Sequence, residues 1–95
     1  MFTEWGVIKS GNEVLIGRTM FTISQIKASD PRQEQWSGYF IIPSGTSSHS
    51  TETLFRGRAH RLVLDDGRSG ALNVVGFDGV TPGSTVWFNG TGPLE

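Results

Sequence analysis

The chain has 95 residues, no cysteine, and eight basic against nine acidic side chains, for a net charge of −1. That is one small domain spanning residues 1–95, with neither disulfides nor thiolate zinc to hold it and without the basic excess of a general nucleic-acid binder. Close to half of the residues are apolar once glycine is counted, an ordinary globular share that excludes disorder and collagen-like repeats.

Met1 to Trp5 carry no basic region and open no long apolar stretch, so the start does not read as a signal peptide. The first strand is expected at Glu4–Lys9. Ser10-Gly11-Asn12 turns it into a long second strand, Glu13–Lys27. Met20, Phe21, Ile23 and Ile26 do not share one parity, and Gly17 interrupts the run, which together predict a bulge or a bend. Asp30-Pro31 marks a loop over Ala28–Gln33. The third strand, Gln35–Ile42, sets Trp36, Gly38, Phe40 and Ile42 on one face, and that face is the better core. Pro43–Thr51 is a Ser/Thr-rich polar tract with nothing to bury, and reads as a flexible loop.

The fourth strand is expected over Glu52–Leu64, ending in the hairpin signal Asp65-Asp66-Gly67-Arg68. Ser69–Phe77 and Ser84–Asn89 follow as the fifth and sixth strands, separated by the Pro82-Gly83 turn. Gly90–Glu95 closes over one end, and Leu94-Glu95 also reads as a cloning scar. No stretch free of Gly and Pro holds apolar residues at helical spacing for three turns, and only three alanines are present. The expected fold is therefore all-β: a small single-domain barrel of five or six mainly antiparallel strands, SH3-like, OB-like or split. The longest apolar run, Tyr39–Ile42, is far below the ~20 residues of a membrane helix. A soluble, cytoplasmic protein without a membrane partner is the expectation.

Catalytic and metal motifs do not emerge. Two histidines, His49 and His60, with no cysteine fall short of a typical zinc ligand set. No His-Glu-x-x-His, Gly-x-Ser-x-Gly or phosphate-binding glycine loop occurs. Neither cofactor nor metal is expected, and the chain does not read as an enzyme.

Two surfaces stand out. Arg56, Arg58 and Arg61 fall in a stretch without an acid from Thr53 to Leu64. If Phe55 and Leu62 both face the core of one strand, a bulge near Ala59–Arg61 brings the three guanidiniums to the outer face, where they suit a phosphate or carboxylate. The competing reading pairs them with Glu4, Glu13, Glu34 or Glu52 across neighbouring strands. The second surface is aromatic. Parity places Tyr39 opposite the Trp36 face, and Trp87 opposite Val86 and Phe88, so both rings point outward. Exposed rings of this kind anchor protein interfaces or stack on sugars and bases. Together with open strand edges, they imply a non-catalytic binding module for a protein partner or a homo-dimer. The alternative is an anionic ligand or single-stranded nucleic acid on the arginine stripe.

Overall fold

The computed structural model describes residues 1–26, 35–56 and 60–95. Among these residues six strands are present: β1 (Phe2–Ser10), β2 (Glu13–Ile26), β3 (Gln35–Ile41), β4 (His60–Leu64), β5 (Ser69–Phe77) and β6 (Thr85–Gly90). They close into a barrel in the order β1-β2-β3-β6-β5-β4, with β4 returning to β1. Every neighbouring pair is antiparallel. Each strand thus has two hydrogen-bonded neighbours, and closure removes the open edges expected from the sequence.

β2 is the long strand. Glu13 to Met20 runs along β1, Ser24 to Ile26 pairs with β3, and Phe21 to Ile23 serves both. A register shift between Gly6 and Ile8 of β1 lies opposite the Ile16–Thr19 segment. It accounts for the broken alternation around Gly17. Leu15 and Ile16 are buried side by side before it, and Phe21 and Ile23 are buried in alternation after it.

Ser48–Phe55 departs from the expected pattern. It forms an α-helix, α1, where the sequence implies the end of a loop followed by a strand from Glu52. Ser47 caps it, its hydroxyl accepting from the Ser50 amide at 3.1 Å. The Thr51 and Thr53 hydroxyls donate back to the Ser48 and His49 carbonyls at 3.0 and 2.9 Å, a habit that does not favour helices. Packing supplies what propensity lacks: Thr51 and Leu54, three apart, are buried. Sealing Leu54 away from water contributes about 1.5–3 kcal/mol.

The interior is built on rings. Phe21, Phe40, Phe88 and Trp36 interlock at centroid separations of 5.1 to 6.3 Å, tilted or edge-on as ring quadrupoles prefer. Trp36 is 3% exposed and plugs one end. Its indole lies against Gly90 and Gly70, where an added Cβ would collide with the ring. Its Nε1–H donates to the Gly92 carbonyl at 2.6 Å. The last residues run back over this end, the Thr91 and Glu95 amides donating to the Ala71 and Ser69 carbonyls at 2.9 Å each. Among the described residues, no helix is long and apolar enough to cross a membrane.

Glycine at position 38 is a steric requirement. A Cβ there would overlap the Thr22 carbonyl oxygen and press on the Phe88 ring. Gly38→Ala should lower unfolding free energy by about 1–3 kcal/mol, the usual cost of overpacking. Gly17 has no positive φ and no atom within 4 Å of an added Cβ. Gly17→Ala should instead be neutral or stabilising by up to about 1 kcal/mol. Urea denaturation of both variants checks this contrast.

Candidate functional site

Tyr39 and Trp87 stand directly opposite each other across the β3–β6 pair. They are 39% and 42% exposed, whereas Phe40, Val86 and Phe88 beside them are buried. The strand period of two produces this arrangement: once the neighbours fill the core, these rings must face solvent. Thr22 of β2 continues the row beyond Tyr39. A cleft of about 280 Å³ flanks the rings, with Thr22, Ser37, Val75 and Asn89 on its walls. Met20 and Ile41 are exposed on the apolar flank, and Met20 pairs with the exposed Trp5 of β1.

No charged residue occurs anywhere along β3 or β6. Charges gather elsewhere and neutralise locally. Arg18 pairs with Asp65 at 2.8 Å and sets its guanidinium over the Trp5 ring, 4.7 Å from the centroid. Arg68 pairs with Asp66 at 2.8 Å and covers Phe2 at 4.5 Å. Both ion pairs belong to the β4–β5 hairpin end, which leaves the Tyr39–Trp87 face neutral.

The three arginines are not set out on one strand. Arg56 is the C-cap of α1, Arg61 lies in β4, and Arg58 lies outside the described residues. Phe55 belongs to the helix, so the parity flip that would have aligned them is not needed. Arg61 donates to the Ser69 hydroxyl at 2.9 Å and faces Lys9 of β1 on one side and Ala71 of β5 on the other. Three of the four acids expected as partners stand elsewhere among the described residues. Glu4 is opposite Phe21 and Glu13 opposite Ser10, Glu52 is on α1, and Glu34 lies outside the described residues.

The histidines are separated in role. His49, exposed in the first turn of α1, sits 3.3 Å from the Glu13 carboxylate. His60 is 2% exposed, and its Nε2 lies 3.1 Å from the Leu54 carbonyl. A carbonyl only accepts, so Nε2 carries the proton and ties the start of β4 to the end of the helix. Its Nδ1 has no partner among the described residues. No group of three or more potential metal ligands occurs among the described residues.

A larger groove, about 550 Å³, opens between α1 and the β5–β6 turn. Phe55 forms part of its lining and packs on Phe77 with centroids 4.3 Å apart. Sequence reasoning missed this groove because it missed the helix. The signal was present in Ser47 as a cap and in Thr51, Leu54 and Phe55 at spacings of three and four, but over two turns rather than three. Compared with protein-family models, curated proteins and solved structures, the chain matches none.

One electrostatic feature is testable directly. Hydrogen bonds from the Arg68 side chain and amide hold the exposed Asp66 carboxyl below its ordinary value of 3.8. A carboxylate lowered in the folded state stabilises fully above its unfolded pKa, and that contribution is lost as pH falls through the folded value. Asp66→Asn should therefore lose less stability than the unsubstituted protein as pH drops through the carboxylate range. Denaturation midpoints from neutral to acid pH measure the difference.

Proposed function

We propose that this chain is a non-catalytic binding module that docks a second copy of itself through the Tyr39–Trp87 face. The observation that carries the reading is two large rings in direct register on a face without charge. Interface cores are depleted in charge and enriched in Tyr, Trp and Met. Met20, Tyr39, Ile41, Val75 and Trp87 all leave more than a third of their surface exposed. At roughly 150–250 Å² for a large ring and less for an aliphatic side chain, they present on the order of 400 Å² of apolar surface. That is within the range of the largest patches on monomers, about 300–600 Å², and about half of the ~800 Å² per partner in a standard interface. A neutral face suits a two-fold contact, because it meets itself without juxtaposing like charges.

Sedimentation velocity from micromolar to millimolar concentration should show a monomer–dimer equilibrium that changes little with added salt. Trp87→Ala should weaken it by about thirtyfold, the effect of removing an interface anchor worth about 2 kcal/mol. A strict monomer at millimolar concentration overturns self-association. Amide shifts around Tyr39 and Trp87 on adding a neutral oligosaccharide, with the chain still monomeric, would assign the face to a sugar instead.

The anionic-ligand alternative rests on Lys9 directly opposite Arg61, with neither in an ion pair among the described residues. Like charges so placed repel, and a bound phosphate relieves the repulsion. Fluorescence anisotropy with short single-stranded DNA should then show affinity that falls steeply with salt and is lost in the Lys9→Gln, Arg61→Gln double variant. Equal binding by that variant removes the reading.

A further inference from the structure

We infer that the groove between α1 and the β5–β6 turn binds a short zwitterionic peptide with apolar side chains, a dipeptide in the first instance. This site is separate from the Tyr39–Trp87 face, and its test does not depend on that face. The groove's volume of about 550 Å³ lies within the roughly 300–1,000 Å³ of small-molecule clefts. Its apolar surface comes from Phe55 on the helix and from Val80 and Pro82 on the opposing turn. Val80 and Phe77, the ring partner of Phe55, are each half exposed, so an apolar ligand would cover surface that water now covers.

Both walls are fixed before any ligand arrives. On the turn side, the Thr85 amide donates to the Asp78 carboxylate at 2.7 Å. The Ser84 amide donates to the Thr81 carbonyl at 3.0 Å, and the Gly83 amide to the Ile42 carbonyl at 2.8 Å. On the helix side, Ser47 caps the first turn and Leu54 anchors the last in the core. Preformed walls reduce the ordering cost of binding.

Charge decides the class of ligand. Two charged residues line the groove, Glu52 and Arg56, four apart along α1 and its C-cap. Both are exposed, and neither is in an ion pair among the described residues. Residues so spaced hold their Cβ atoms roughly 5–6 Å apart on one helix face. A simple carboxylate would meet Arg56 but be repelled by Glu52, and a simple amine the reverse. A molecule carrying both charges satisfies both residues. The ammonium and carboxylate of an extended dipeptide lie about 7 Å apart, far enough to meet the two side chains separately, which a single amino acid, with its charges on one carbon, does not offer. Its side chains then rest on Phe55, Val80 and Pro82.

The test is an NMR titration of the full chain with phenylalanyl-leucine, its N-acetyl form and its C-terminal amide. Saturable shifts are expected at Phe55, Arg56 and Val80, with each blocked peptide weaker by about tenfold, the size of one charge-assisted hydrogen bond. Glu52→Gln should abolish the discrimination against the N-acetyl form, and Arg56→Gln the discrimination against the amide. Both side chains are exposed, and amide dispersion will show that the variants fold. No shift in the groove at saturating peptide, equal binding of free and blocked peptides, or shifts confined to the Tyr39–Trp87 face each overturn the inference.

Discussion

Gly38 is where β2 and β3 come so close that a single added carbon would overlap the Thr22 carbonyl. Because side chains alternate along a strand, fixing Gly38 inward also fixes Trp36 and Phe40 inward and Tyr39 outward. Across the β3–β6 pair, Gly38 meets Phe88 and Tyr39 meets Trp87. One close backbone contact thus sets both the ring cluster that fills the barrel and the ring pair that faces solvent. Core and surface are two sides of one register, and a slip by one residue would exchange them.

The same parity explains how much could be read from the chain. β5 and β6 are bounded by glycine-containing turns and β3 alternates clearly, and the expected limits of all three agree with the observed ones to within a residue. Trp36 in the core and Tyr39 and Trp87 at the surface follow from that alternation alone. The helix does not. Ser48–Phe55 is rich in Ser and Thr, and its stability comes from Leu54 fitting the barrel interior, a tertiary fact with only a short local trace. The single-strand alignment of Arg56 with Arg61 depended on the same stretch being extended, and the helix places the two on different elements.

Charge placement follows a related economy. Arg18 and Arg68 each neutralise an aspartate of the β4–β5 turn while laying a guanidinium over an aromatic ring. Such exposed pairs contribute little stability individually. Their effect is on distribution: opposite charges are gathered at the hairpin end, and the β3 and β6 strands carry none. Glu52 and Arg56 are the contrast, opposite charges on one helix face that remain apart beside an apolar groove.

The strand order has a further consequence. Exchanging β1-β2-β3 with β4-β5-β6 leaves the cyclic order unchanged, so the barrel is two three-stranded meanders joined at two seams. The seams, β1 with β4 and β3 with β6, pair residues about half the chain length or more apart, such as Gly6 with Leu64 and Phe40 with Val86. Pairing within a meander is local and closes small loops, whereas each seam must close a large one. Such non-local pairing slows folding. The topology therefore divides the chain into two locally paired halves, with Leu54 of the helix between them held in the interior they enclose.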